Sequence, residues 1–99
     1  MLEEVIWVSG AAQEYLEANP KLVSSEAIDA LIELVRLFPD IGSKVSASKR
    51  IQRVLVGRNK IYGLFYSVTG KRLIIVALID LRQSPAEIEN VLKRRVQES

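Results

Sequence analysis

The chain has 99 residues, 48% of them apolar and 26% charged, with a formal net charge of +2. That is room for one domain with a core, and it excludes a disordered or low-complexity chain. Cysteine and histidine are both absent. Disulfides, thiolate nucleophiles, imidazole catalysis and the usual zinc sites are therefore excluded, and any chemistry falls to carboxylates, Lys, Arg, Tyr, Ser or Thr.

Val5-Ile6-Trp7-Val8 is a β-rich run and predicts a strand. Ser9 is placed to cap a helix running through Ala11, Ala12, Tyr15 and Leu16 and ended by Pro20. A second helix starts near Ser24 or Ser25. Its apolar positions Ile28, Leu31, Ile32, Val35 and Phe38 follow helical spacing, Leu34 and Leu37 widen that face, and Pro39 stops it in a turn over Pro39-Asp40-Ile41-Gly42. The period then changes. Ile51 to Val56 reads as a strand, Gly57-Arg58-Asn59-Lys60 as a basic turn, and Ile61 to Val68 as an aromatic strand. Thr69-Gly70-Lys71 is a tight turn into Arg72 to Asp80, whose apolar middle predicts a strand covered on both faces. Ser84-Pro85-Ala86-Glu87 supplies a cap, a first-position proline and a third-position glutamate for a last helix carrying Ile88, Val91 and Leu92. The order β-α-α-β-β-β-α predicts one α+β domain over residues 1–99, with two N-terminal helices on one face of a twisted, mostly antiparallel sheet and a C-terminal helix.

Charge is unevenly spread. Residues 1–43 carry eight acids against Lys21 and Arg36. Residues 44–82 carry nine cations against Asp80 alone, and residues 83–99 balance. Such asymmetry in a small domain points to a side that meets a polyanion or an acidic partner. The longest apolar run, Leu73 to Ile79, is far short of the roughly 20 residues of a spanning helix. The acidic start Met1-Leu2-Glu3-Glu4 lacks the basic region of a secretion signal. A cytoplasmic protein without membrane contact is expected, and no metal or cofactor motif is present.

Ile6-Trp7 with its small-residue helix start, Leu37-Phe38-Pro39-Asp40-Ile41-Gly42, Arg53-Val54-Leu55-Val56-Gly57 followed by Leu64-Phe65-Tyr66-Ser67-Val68, and Ile79-Asp80-Leu81-Arg82-Gln83-Ser84-Pro85 occur in this order and spacing. Together they resemble the RelE/ParE superfamily of toxins from bacterial type II toxin–antitoxin modules. The resemblance implies a growth-inhibiting toxin, a cognate antitoxin that neutralises it, and a basic sheet concavity. It also implies one of two targets: DNA gyrase, poisoned by ParE-like members, or ribosome-bound mRNA, cut without metal by RelE-like members. Gly63, Ser67 and Asp80 stand where the family often carries Arg, Arg and His, and residues 91–99 contain no Tyr or His. These departures favour the ParE-like branch and leave enzymatic activity open. A non-toxic relative that only pairs with a partner protein is a third reading.

For a ribonuclease the candidate groups are Lys49, Arg53, Lys60 and Arg82. For a target-binding surface they are Arg50, Arg53, Arg58, Tyr62, Arg82, Lys93, Arg94 and Arg95. Guanidinium groups match phosphate oxygens bidentately, a lysine among cations can lose its proton, and tyrosine can stack on a base or donate a proton. Arg50 and Arg53 are three apart, so on a strand they point to opposite faces. Each has a plainer role beside it: Arg82 can pair with Asp80, Tyr66 and Phe65 can fill the core, and Lys93-Arg94-Arg95 suits the negative end of a helix dipole.

Overall fold

The computed structural model describes residues 1–46 and 48–98. β1 (Glu4–Trp7) is followed by α1 (Ser9–Glu17) and α2 (Ser25–Leu37). A 3-10 turn over Pro39–Ile41 leads to β2 (Ser43–Val45) and β3 (Ser48–Val56). A second 3-10 turn over Arg58–Lys60 precedes β4 (Tyr62–Thr69), β5 (Arg72–Asp80) and α3 (Pro85–Glu98). The five strands form one sheet in the order β1-β5-β4-β3-β2. All neighbours are antiparallel except β1, which lies parallel to β5 from Glu4 opposite Arg72 to Trp7 opposite Ile75.

Alternation along the strands divides the interior into two layers. Val54, Val56, Tyr62, Leu64, Tyr66, Leu73, Ile75 and Leu78 pack with Ala11 of α1 and Ile28, Ile32 and Val35 of α2. Ile51, Phe65, Val76, Ala77 and Ile79 pack on the opposite side with Leu92 of α3. This two-sided burial is why β4 and β5 read as nearly continuous apolar runs. A bulge between Phe65 and Tyr66 lets Val76 and Ala77 both join the α3 layer. In the β4–β5 hairpin Thr69 pairs with Arg72 across Gly70 and Lys71, and Gly70 takes φ +60°, the left-handed conformation such a turn requires.

Three details differ from the sequence reading. Ser9 does not cap α1. It is the first helical residue, Val8 occupies the cap position, and no side chain bonds there. The helix stops at Glu17, ahead of Pro20. A three-residue edge strand, β2, precedes β3, and its register shifts between Lys44 and Val45. At the start of α2 the expected cap is present, with Ser24 Oγ accepting from the Ala27 amide at 3.1 Å.

α1 and α3 meet around the edge of β5. The ladder from β1 ends where the Val8 amide donates to the Ile75 carbonyl. Beyond it, the Leu78 amide donates to Glu14 Oε1 at 3.0 Å, and the Val76 carbonyl accepts from Arg95 Nη1 at 3.0 Å. Arg95 and Glu14 close on each other through bonds of 2.6 and 3.0 Å. The ion pair takes the place of the missing strand, satisfying backbone groups that β1 is too short to reach.

Candidate functional site

A cavity of about 380 Å³ lies between the sheet and α3. Its sheet wall is Arg53 and Phe65, which are register partners on β3 and β4. The outer rim is Lys44, Val45 and Ser46 on the β2 side, and the opposite wall is Leu81, Pro85, Ile88, Glu89 and Leu92. Gly63 leaves room beside Arg53. A Cβ there would stand 3.0 Å from both Leu81 Cδ2 and Phe65 Cε1 and 3.3 Å from Arg53 Cδ. Arg53 is half-buried, and among the described residues no carboxylate lies within ion-pair distance of it. A half-buried guanidinium in a cavity that Phe65 and Lys44 also line has the chemistry to take a phosphate or carboxylate. Among the described residues, Glu89 contributes the cavity's one carboxylate, and it is held at 3.1 Å by Lys93.

The rim is fixed from below. Tyr66 is fully buried; its hydroxyl donates to the Pro39 carbonyl at 2.6 Å and accepts from the Gly42 amide at 3.0 Å. Burial pushes the Tyr66 hydroxyl above the ordinary phenol range, which keeps it a neutral donor. Gln52 Nε2 donates to the Gly42 carbonyl at 3.2 Å. Both bonds anchor the residue that leads into β2 and Lys44.

The remaining candidates do not converge on this cavity. Arg50 lines a separate small recess with Ser67, Thr69 and Val96, and Lys49 is exposed beside it on β3. Arg58 and Lys60 occupy the turn beyond the far end of β3, at least ~10 Å of strand away from Arg53. Lys60 and Asn59 both adopt left-handed backbone there, at φ +54° and +53°. Arg82 is fastened to Asp80 at 2.6 Å, an interaction that holds the Asp80 carboxyl below the usual carboxylate range and raises Arg82. Tyr62 is buried on the α1/α2 side, where its hydroxyl accepts from the Asn19 amide at 3.2 Å. Lys93 and Arg94 line a shallow depression on the outer side of α3, and Arg95 is committed to Glu14. Lys71 and Arg72 face Glu3, just ahead of the first strand, and Glu4, its first residue, at 3.4 and 3.6 Å.

The nine cations of residues 44–82 thus divide. Lys44, Lys49, Arg50 and Arg53 gather on the β2–β3 side, where no acid occurs between Ile41 and Ile79. Lys44, Ser46 and Glu89 are members of the cavity that the sequence does not single out. They belong to an edge strand, the turn after it and a distant helix, and only the fold joins them. The faint signal for Lys44 is its place at the head of the acid-free stretch.

No family model matches the chain. A protein of Sinorhizobium fredii carrying the name uncharacterized protein y4wM is similar to it, 32% identical over 82 residues. The match covers 83% of this chain and 12% of that protein, so the chain spans about an eighth of the length of the curated relative it matches.

Proposed function

We propose that this protein is the toxin of a type II toxin–antitoxin module, acting inside the cell as a ParE-like blocker of DNA gyrase and neutralised by a cognate antitoxin. The observation that carries the reading is the half-buried Arg53, which has no carboxylate at ion-pair distance among the described residues, in a cavity that Lys44 also lines on the acid-free β2–β3 side. Such a side suits the phosphates of an enzyme–DNA complex or an acidic patch beside them. Support for blocking over cleavage comes from where the ribonuclease candidates of the sequence lie: apart from Arg53 itself, none of them lines its cavity. Metal-free RNA cleavage needs a base for the 2′-hydroxyl, a cation for the phosphate and an acid for the leaving oxygen. Tyr62 faces the other layer, Arg82 is engaged by Asp80, and neither Lys49 nor Lys60 lines the cavity. Purified gyrase supplies the test. The reading expects trapped DNA cleavage complexes and lost supercoiling, both abolished by Arg53→Ala; undisturbed supercoiling at saturating protein overturns it.

A second reading is favoured by one observation: Glu89 and Lys44 are among the residues that line the cavity holding Arg53. In a RelE-like endoribonuclease these would be the proton-transfer groups. That reading expects codon-positioned cuts in ribosome-bound mRNA, lost in Glu89→Gln and in Arg53→Ala.

A further inference from the structure

The small recess beside Arg50 lies where a ladder stops. The β3–β4 register runs from Val56 opposite Tyr62 to Gln52 opposite Tyr66. Arg50 on one strand and Ser67 to Thr69 on the other lie past that end, where β4 continues in register with β5 through Ser67 opposite Ile74 and Thr69 opposite Arg72. Arg50, Ser67 and Thr69 line the recess together with Ile74 and Val76 of β5 and Val96 of α3. Ser67 and Thr69 are two apart, so both side chains leave the same face of β4.

The polar groups here have no protein partner. Among the described residues no carboxylate lines the recess, and none lies within ion-pair distance of Arg50. The bond that Arg50 makes within its strand comes from its amide, to Ser48 Oγ at 3.2 Å, and leaves the guanidinium unused. The hydroxyls of Ser67 and Thr69 make no hydrogen bond to another described residue. The recess holds about 80 Å³. That is the share of two to three waters in the liquid, at ~30 Å³ each, and far below the ~300 Å³ at which pockets for drug-sized ligands begin. It has room for one small polyatomic ion and none for a base or a sugar.

We infer that this recess binds a single phosphate group, as orthophosphate or as the unesterified end of a phosphomonoester, with Arg50, Ser67 and Thr69 as its donors. Donor count selects the anion. The guanidinium fork by itself satisfies both oxygens of a carboxylate and would leave two hydroxyls over. A tetrahedral phosphate offers oxygens to the fork and to both hydroxyls at once. A phosphodiester carries substituents on two sides, which a recess of this volume does not admit. The recess shares no lining residue with the Arg53 cavity and does not depend on the toxin reading.

The probes are orthophosphate, a ribonucleoside 5′-monophosphate, dimethyl phosphate and acetate, titrated into the full chain at constant ionic strength and followed by amide chemical shifts. Orthophosphate is expected to give saturable shifts at Arg50, Ile51 and Ser67 to Thr69, with an affinity at least fivefold above those of acetate and dimethyl phosphate. The monophosphate separates the two sources: binding tighter than orthophosphate assigns the end of a larger molecule, and weaker binding assigns the free ion. Arg50→Gln, and the pair Ser67→Ala with Thr69→Val, should each weaken orthophosphate at least fivefold while the spectrum stays folded. Arg53→Ala should bind as wild type does. Orthophosphate should also raise the melting temperature of wild type, and not of Arg50→Gln, because a ligand of the folded state stabilises it. Absence of saturable shifts, equal affinity for acetate, shifts centred on Arg53, or unchanged binding by Arg50→Gln would each overturn the inference.

Discussion

Arg95→Ala removes the device that joins the two ends of the chain. Arg95 is 15% exposed and makes two bonds to Glu14, at 2.6 and 3.0 Å, and one to the Val76 carbonyl, at 3.0 Å. Among the described residues, truncation leaves Glu14, 26% exposed, with the Leu78 amide as its remaining partner, and it takes from the Val76 carbonyl its bond to Arg95. A bond to a charged group contributes about 1.5–3 kcal/mol when buried. With both partners partly solvated, the whole loss should be about 2–3 kcal/mol. For a domain of this size each 1 kcal/mol moves the melting temperature by roughly 4–8 °C, so Arg95→Ala should melt at least about 10 °C below wild type. Denaturant unfolding of wild type, Arg95→Ala, Glu14→Ala and the double variant isolates the pair. A coupling energy of about 1–2 kcal/mol is expected. A single-variant loss under about 0.5 kcal/mol, or additive losses in the cycle, would refute the reasoning and reduce the contact to an ordinary surface ion pair.

Three further variants probe linked features. An ideal Cβ on Gly10 would lie 2.6 Å from the Arg95 guanidinium, so Gly10→Ala should destabilise wild type yet stabilise Arg95→Ala by up to about 1 kcal/mol through helix propensity; urea titrations in both backgrounds read the change of sign. Tyr66→Phe orphans the Pro39 carbonyl and the Gly42 amide and should cost about 1–3 kcal/mol, with faster amide exchange at Gly42, Ser43 and Lys44 than at the centre of β4. Asp80 is held below the ordinary carboxylate range chiefly by hydrogen bonds from Arg82. A depressed acid contributes stability above its unfolded pKa, about 3.9, that is lost as pH falls through the folded value. Melting temperatures should therefore fall more steeply below about pH 4 for wild type than for Asp80→Asn, and parallel curves would remove the Arg82 contact as the cause.

What the sequence made legible was mostly local. The β4–β5 hairpin follows from Thr69-Gly70-Lys71 between two apolar runs, and α2 follows from its 3–4 spacing and Ser24 cap. β2 stayed hidden because three residues, one of them charged, carry no usable period, and its partner and register come from β3. Ser9 satisfies the pattern of a cap, yet the parallel ladder of β1 draws Val8 against Ile75 and starts the helix one residue earlier than a Ser9 cap requires. At the cavity, Arg53 was legible as a strand arginine among cations. Glu89 was not, because its placement depends on how α3 crosses the sheet. The Glu14–Arg95 pair joins residues 81 apart through an edge that no local pattern announces. Asp80 and Arg82 were legible as a possible pair from their spacing, and the fold brings them together.

Induced expression in a bacterium lacking any partner gene tests most directly whether the protein acts through Arg53. Wild type should halt growth, whereas Arg53→Glu, accumulating folded to the same level, should leave the culture growing at the uninduced rate. An equally toxic Arg53→Glu, or a wild-type protein that leaves growth untouched, would contradict the account.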